Sequence, residues 1–344
     1  MIHLRIRAAI LACCAALIVS IAGGAATPRE PHPVKTLKVT LLSTMLADAP
    51  KTHDQVGEWG FAALLESDGH KILIDTGAQP ETVRMNARSL HVDLCEVQDV
   101  VLTHHHSDHT TGLMTLRRDC MAKHPQALSR VHVATGIFWL RRAAATGLAA
   151  SGQRDASEQG ERNPMIAIRK EFEATGGLFI EHNEPIELYP GIWLTGPIER
   201  KFPEENYGKG LVVISSHGTI PDNVPEDQSV VVEREHGLIV ITGCGHAGIV
   251  NIVTRSNTII PGQRLYAVIG GLHLFDATDL TLDWTADRLK GFGLEYLVGA
   301  HCTGIEAVYR LRNRIGLDRK TAVVGAVGAT FVLGEGIHPG AIAQ

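Results

Sequence analysis

The sequence predicts an α/β fold on three observations. The chain has 344 residues, of which 44% are hydrophobic, which is long and apolar enough to bury a substantial core. Short apolar segments with strand patterning alternate with helical segments along the chain. Four of the apolar strands run into loops that carry histidine, and functional side chains collect at strand ends in layered α/β folds. We therefore expect a functional site at these strand ends.

Two similarly built halves flank a region of different character. In the first half, strands are predicted at 37–44, 60–66, 71–75 and 100–102, and helices at 81–94 and 111–123. In the second half, strands are predicted at 229–233, 238–242, 265–269, 296–298 and 322–327, and helices at 249–254, 283–291 and 305–315. The Asp-Gly turn at 67–69 joins two of the early strands.

Residues 136–190 are predicted to form a helical and loop insertion. An alanine-rich stretch at 138–150 has helical character, and the run at 151–163 is polar, charged and glycine-rich. Long loops near active sites often act as lids. A solvated insertion without a role is the alternative interpretation, and the sequence leaves both open.

The N-terminus has the pattern of a signal peptide. Arg5 and Arg7 precede an apolar run at 8–21, and small residues follow at 22–26. The apolar run is shorter than the roughly 20 residues that span a bilayer as a helix. An uncleaved anchor, a buried helix and a lipoprotein signal at Cys13 are the alternatives. Cleavage predicts an exported protein, periplasmic or secreted, without further membrane contact.

The remaining chain divides into a linker, a domain and a tail. These are predicted at 27–36, 37–335 and 336–344. The formal net charge of the chain is −5, and no basic stripe stands out, so we expect a small-molecule substrate rather than nucleic acid.

A histidine-rich run follows the strand at 100–102. Residues two apart in an extended segment point to the same side, so His104 and His106 can bind one metal ion. Asp108 and His109, which lie past the bend, can face a second ion. Imidazole with carboxylate suits zinc, with manganese or iron as alternatives.

His105 should point away from its neighbours, so we leave it out of the ligand set. His246, His273 and His301 each follow another apolar strand. Their position at strand ends makes His246 and His301 candidate ligands. A loop that binds metal adventitiously is the alternative interpretation of the histidine-rich run.

The cysteine pattern leaves pairing open. Cys13 and Cys14 would leave with the signal peptide. The four that remain, Cys95, Cys120, Cys244 and Cys302, match no zinc-knuckle or redox spacing. Export would permit disulfides, and the last two cysteines lie beside candidate ligand histidines. Small buried residues at strand ends are the alternative interpretation.

The motifs together resemble the metallo-β-lactamase superfamily. The pattern His-x-His-x-Asp-His after a buried strand, preceded by Ile-Asp-Thr-Gly at 74–77, carries this resemblance. More narrowly, the segments 194–198, 225–229, 243–251, 270–274 and 301–304 resemble the subgroup labelled 7,8-dihydropterin-6-methyl-4-(β-D-ribofuranosyl)-aminobenzene-5'-phosphate synthase-like proteins. The resemblance implies an αββα sandwich, with two facing β-sheets, helices outside and the metals at one edge.

The resemblance also implies two divalent metal ions and their ligands. His246 would complete the first site with His104 and His106, and His301 would join Asp108 and His109 at the second. Many members place a metal-bridging Asp where this chain has a Gly-Gly-Leu-His segment ending at His273. Three interpretations of that histidine stay open: it replaces the acid, contacts the substrate or simply packs. A neutral imidazole cannot bridge two cations as a carboxylate does, so occupancy of the second site depends on which interpretation holds.

Asp75 is implied to support the metal site by accepting a hydrogen bond from a ligand imidazole. A role in the turn alone is the alternative. Asp108 is the candidate catalytic residue, because a ligating carboxylate can orient the attacking water or carry its proton.

These residues predict a hydrolase that uses a metal-bound hydroxide on an ester, lactone or phosphoester-type small molecule. A non-catalytic metal-binding or sensing module and a di-iron redox protein on the same fold are the alternatives. The segment 58–61 may line the pocket or anchor the core. Lys201, Tyr207 and Lys209 are candidates for an anionic substrate group, or ordinary surface residues.

Overall fold

A computed structural model describes residues 30–47, 54–144 and 162–343. The strands, in chain order, are β1 Lys38–Ser43, β2 Leu46–Ala47, β3 Ala62–Ser67, β4 His70–Ile74, β5 Asp99–Val101, β6 Arg130–Ala134, β7 Leu140–Ala143, β8 Leu178–His182, β9 Ile186–Tyr189, β10 Ile192–Leu194, β11 Leu211–Ser215, β12 Gly218–Pro221, β13 Val230–Arg234, β14 Gly237–Thr242, β15 Leu265–Gly270, β16 Tyr296–Gly299, β17 Ala322–Val324, β18 Ala326–Val327, β19 Thr330–Val332 and β20 Gly336–His338. The α-helices are α1 Thr82–Ser89, α2 Ser107–Thr110, α3 Leu113–Met121, α4 Pro164–Glu173, α5 Ile249–Ile259, α6 Asp279–Phe292 and α7 Ile305–Ile315.

The first large sheet has eight strands in the order β20-β19-β1-β3-β4-β5-β6-β8. The hairpin between β3 and β4 turns at Asp68 and Gly69, whose φ angles are 47° and 86°. Asp-Gly accepts these positive φ values, which match the twist of a two-residue hairpin. From β4 to β8 the strands run parallel, so their carboxyl ends meet at one edge.

The second large sheet has seven strands in the order β17-β16-β15-β14-β13-β10-β9. Its strands β14, β15, β16 and β17 are parallel neighbours. The residues after β14, β15 and β16 carry three of the predicted histidines. The parallel arrangement therefore brings these three loops to a common edge.

Three apolar cores separate four layers. The first lies between the sheets, where side chains of the first sheet such as Leu41 and Ile74 pack with those of the second such as Ile241 and Val298. The second lies under α1, α3 and α4 on the outer face of the first sheet. The third lies under α5, α6 and α7 on the outer face of the second. This arrangement confirms the αββα sandwich.

The region 136–190 differs from the prediction. Leu140–Ala143 is a strand, not part of a helix, because it pairs along its length with β11. Such pairing outweighs the helix propensity of an alanine-rich stretch. Farther along, β8 belongs to the first large sheet and β9 to the second, so much of this region is integral to the sandwich rather than inserted into it.

Other predictions concern residues outside the described ranges or at the C-terminus. Residues 145–150 of the predicted helix and nearly all of the polar run at 151–163 lie outside the described residues, as does the predicted signal peptide at 1–26. The predicted C-terminal tail begins inside β20, which pairs with β19. Within the described ranges, no helix has the length and apolar character needed to cross a membrane.

A disulfide joins Cys95 and Cys120. Cys95 lies in the short 3-10 helix Leu94–Glu96 and Cys120 near the end of α3, so the bond ties two outer segments of the first half together. The pair that the sequence singled out, Cys244 and Cys302, is buried and unbonded.

Candidate metal centre

The predicted site residues converge where strands of both sheets end. Among the described residues, three groups of potential metal ligands have donor atoms within 4.8 Å of one another: His104, His106 and His246; Asp108, His109, Cys244 and His301; and Cys244, His246 and His273. All six ligands predicted for the two metal sites fall in the first two groups. Cys244 is a member that the sequence analysis did not propose.

The first group is formed by three imidazole rings. His104 Nε2 lies 3.0 Å from His106 Nδ1, and the His246 ring centre lies 4.7 Å from that of His104. His104 and His246 are buried. Nε2 of His246 has no hydrogen-bond partner, which leaves its lone pair available to a metal ion.

The second group combines a carboxylate, two imidazoles and a thiol. Asp108 Oδ2 lies 3.3 Å from His301 Nε2 and 3.8 Å from His109 Nε2. His109 Nε2 in turn lies 3.2 Å from Cys244 Sγ. His301 has a φ of 45°, which is a left-handed conformation. It lies shortly before the start of α7.

His273 belongs to the third group with His246 and Cys244. Its ring centre lies 4.5 Å from that of His246, and its Nδ1 is buried without a partner. A purely packed histidine would not need to aim a nitrogen at the other ligands, so the geometry favours a role at the site.

Asp75 forms hydrogen bonds with the loop that carries the histidine-rich run. Its carboxylate accepts hydrogen bonds from Thr103 N at 2.7 Å and Thr103 Oγ1 at 2.8 Å. Its Oδ2 lies 2.7 Å from His109 Nδ1. A carboxylate at Nδ1 fixes the tautomer that leaves Nε2 free for a metal. Asp75 thus lies where a supporting carboxylate was expected.

The other loops of the site are held by hydrogen bonds from residues to which the sequence analysis gave no role. Asn206 O lies 2.5 Å from His246 Nδ1, so this ring is also oriented with Nε2 toward the site. Asp227 accepts a hydrogen bond from Ala247 N at 2.7 Å, and the Gln228 side chain donates to Leu102 O at 2.9 Å. The segment 225–229 was one of the motifs that carry the resemblance, so this motif was the sequence signal for Asp227 and Gln228.

His105 belongs to none of the ligand groups of the described residues, although its ring centre lies 4.5 Å from that of His106. Its Nδ1 lies 2.6 Å from Glu226 Oε1. Arg141 donates to both oxygens of this buried carboxylate at 2.8 Å and to Asp222 at 3.0 Å. His105 therefore belongs to an ion-pair network behind the site.

Burial keeps the first-group imidazoles neutral. Burial, together with the neighbouring His109 ring, lowers the pKa of His104 well below its usual range. Burial also lowers the pKa of His106 to about 2. Burial and the His273 ring lower the pKa of His246 to about 4. Neutral imidazoles present lone pairs, which is the state that binds metal ions.

The second group carries charge. Burial opposes ionisation of Asp108, but His301 and His109 outweigh it and hold the pKa of this carboxyl below its usual range. Burial opposes protonation of His301, but the neighbouring Cys302 and Asp108 raise its pKa to about 9. A cation between these side chains would take the place of that proton.

The residues present fit divalent metal ions. Buried ring nitrogens without hydrogen-bond partners are otherwise costly, and the site contains several: Nε2 of His246, Nδ1 of His273 and both ring nitrogens of His301. Imidazole, carboxylate and thiol donors match zinc better than magnesium or calcium.

A cavity of about 740 Å³ opens beside His273. Tyr207 and Lys209 are among its lining residues, whereas the Lys201 amine lies 3.6 Å from Glu199. Trp59 packs edge-on against His301 and Phe275, with ring centres 5.2 and 5.3 Å apart. Trp59 is 46% exposed, so it borders the site instead of anchoring the core.

Comparisons with known proteins agree with this fold. The family model of the metallo-beta-lactamase superfamily matches residues 60–301. A protein of Methanocaldococcus jannaschii named 7,8-dihydropterin-6-methyl-4-(beta-D-ribofuranosyl)-aminobenzene-5'-phosphate synthase is 30% identical over 253 residues, which are 72% of this chain and 81% of that protein. An uncharacterized protein of the same organism, MJ0448, is 26% identical over 252 residues, 73% of this chain and 86% of that protein. The crystal structure of Tm1679, described as a metal-dependent hydrolase of the beta-lactamase superfamily, superposes with a TM-score of 0.61 at 24% identity and covers 81% of this chain and 93% of its own.

Proposed function

The chain belongs to the metallo-β-lactamase superfamily, and we propose that it is a metal-dependent hydrolase of small molecules with an ester, lactone or phosphoester bond. The observation that carries this proposal is the convergence of two ligand groups at one edge of the sandwich. The first group has three donors, so a divalent ion bound there would keep a position open, as catalytic sites require.

Bound divalent ions, zinc in our proposal, would supply Lewis acidity that polarises the scissile carbonyl or phosphoryl group and acidifies water. The protein's own contribution centres on Asp108. This side chain is the one carboxylate of the two groups, and its ionised Oδ2 can hold the attacking water and accept its proton. No serine or cysteine nucleophile is needed for such a reaction.

The substrate would bind in the cavity next to His273. Tyr207 offers a hydroxyl in its lining, and Phe275 packs edge-on against His273, with ring centres 5.3 Å apart. Lys209 lies 2.7 Å from Glu205, so its charge is already matched. We do not extend the synthase name of the archaeal relative to this chain, because the N-terminal pattern predicts export.

We also propose that the protein is exported, to the periplasm or beyond. The basic, apolar and small-residue segments at 1–26 support this. The Cys95–Cys120 disulfide also supports it, because such bonds persist in oxidising compartments. The proposed partner is a small molecule rather than nucleic acid or a lipid surface.

The test combines metal analysis with turnover. Wild-type protein, His106→Ala and the matched control His105→Ala would be analysed for bound metal and assayed on esters, lactones and phosphodiesters. We expect about two metals per wild-type chain, and loss of metal and of turnover by roughly 100-fold or more in His106→Ala. His105→Ala should keep its metal, since His105 contacts Glu226 instead.

The other outcomes favour other functions. A wild-type protein that holds metal but turns over no member of the panel would support a metal-binding or sensing module. Visible absorption from bound iron with reversible reduction would support a di-iron redox protein. Failure to retain any metal would overturn the site assignment.

A further inference from the structure

Cys244 lies next to donors of both proposed metal sites. It is a member of the group with Asp108, His109 and His301, and also of the group with His246 and His273. Among the groups found in the described residues, it is the member that links the donors of the proposed first and second metal sites. Its side chain is buried.

The charge of the site calls for a second anionic ligand. Two divalent cations would bring four positive charges into a buried site, and the histidines are neutral ligands. The groups contain one carboxylate, Asp108. Asp75 is already engaged by Thr103 and His109. A buried charge is costly unless it is paired, and a thiolate at Cys244 would supply the missing negative charge.

The backbone before Cys244 is shaped to bring the thiol close. A Cβ at Gly243 would clash with the Asp75 carboxylate and with Thr103 Oγ1, so only glycine allows this approach. Gly271 N donates to Gly243 O at 3.0 Å. Cys244 Sγ then lies 3.2 Å from His109 Nε2, a separation at which one metal ion can be bound by both atoms after small shifts.

We propose that the Cys244 thiolate is a metal ligand in the group with Asp108, His109 and His301, next to His246 of the first group. On binding, the S–H bond breaks, a sulfur–metal bond forms in place of one metal-bound water, and the proton leaves to solvent. This inference rests on the metal centre of the proposed function, but not on which bond the enzyme hydrolyses.

Cys302 provides the matched control. Its Sγ lies 3.2 Å from Cys244 Sγ and 3.6 Å from Cys244 O. None of the ligand groups in the described part of the chain includes it.

X-ray absorption and cobalt substitution test this proposal directly. The full mature chain would be loaded with zinc under reducing conditions, and its zinc–ligand distances measured. We expect a sulfur shell at about 2.3 Å in the wild type, absent in Cys244→Ala and retained in Cys302→Ala. Cobalt-loaded protein should show a near-ultraviolet thiolate-to-cobalt band with the same dependence on the two cysteines.

Metal affinity gives a second measurement. Chelator competition should show metal binding weaker by 10-fold or more in Cys244→Ala, with circular dichroism establishing that the variant is folded; Cys244→Ser would serve if the alanine variant does not fold. Zinc bound with only nitrogen and oxygen neighbours in the wild type would overturn the inference while leaving the hydrolase proposal standing. A sulfur shell lost in Cys302→Ala but kept in Cys244→Ala would overturn it as well. Absence of bound zinc would overturn both proposals.

Discussion

At the scale of single residues, the site depends on which ring nitrogen of each histidine is hydrogen-bonded to a supporting residue. Asp75 contacts His109 Nδ1 and Asn206 O contacts His246 Nδ1. In both rings Nε2 is then the atom left for a metal. Asp75 has a φ of 55°, an unusual conformation for a residue other than glycine. The surrounding hydrogen bonds hold it there because the carboxylate must meet two donors of Thr103 as well as the imidazole.

Asp75→Asn should weaken metal binding. The amide can offer only one oxygen where the carboxylate offers two, so either Thr103 or His109 loses its acceptor. Loss of such a supporting hydrogen bond typically costs 10–100-fold in metal affinity. Competition against a chromogenic chelator measures the change. Asp68→Asn is the control, since Asp68 also has a positive φ of 47° but lies in the exposed β3–β4 hairpin. Equal affinities for the Asp75 variant and the wild type would refute the supporting role.

At the scale of elements, parallel pairing explains why the site lies where it does. β14, β15 and β16 end side by side, and each leads into a histidine-bearing loop. The loop after β14 packs directly against the loop that carries the histidine-rich run, because Gly243 lies against Asp75 and Thr103. A single added methyl group at this position meets a buried carboxylate, whereas the same change in a helix can meet empty space.

Gly243→Ala and Gly291→Ala should therefore have opposite effects. The first forces the β14 loop away from Asp75 and should reduce metal content and lower the free energy of unfolding by roughly 1–3 kcal/mol. The second lies in α6 with no atom near the added Cβ and should raise that free energy by about 0.5–1 kcal/mol. Urea unfolding and metal analysis of the two variants measure both effects. Retention of full metal content in Gly243→Ala would contradict the close approach described here.

At the scale of the whole molecule, the two sheets must keep their relative position for the two ligand groups to meet. The sheets pack through one shared apolar core, and the Cys95–Cys120 bond fastens the outer layer of the first half. The bond closes a sequence separation of 25 residues. Its main effect is to restrict the unfolded chain.

Removal of this disulfide should destabilise the fold without reaching the metal centre. Cys95→Ala with Cys120→Ala should lower the free energy of unfolding by about 3 kcal/mol, as expected for a loop of this size. Metal content at a temperature where the variant is folded should stay at the wild-type value, because neither cysteine belongs to a ligand group. Unfolding curves with and without a reductant give the comparison. An oxidised wild type no more stable than the reduced one would show that the bond does not contribute.

The local sequence determined much of this protein. The apolar strand before His104, the spacing of His106, Asp108 and His109, and the strand-end positions of His246 and His301 depend on periodicity over a few residues. The chain belongs to the predicted superfamily and has the predicted sandwich. The elements from β14 to α7 were predicted with ends shifted by at most five residues, since their apolar patterns and flanking glycines are strong signals. The strands β19 and β20 were not predicted.

Only the tertiary structure decided the rest, because those features depend on contacts between distant segments. The strand β7 exists through its pairing with β11, against the helical propensity of its own residues. The disulfide joins Cys95 to Cys120, and no spacing rule indicates that pair. Cys244 enters two ligand groups because loops from both sheets meet at one edge. Sequence patterns report what a segment prefers by itself, whereas a metal centre is assembled from segments that become neighbours only when the two sheets pack.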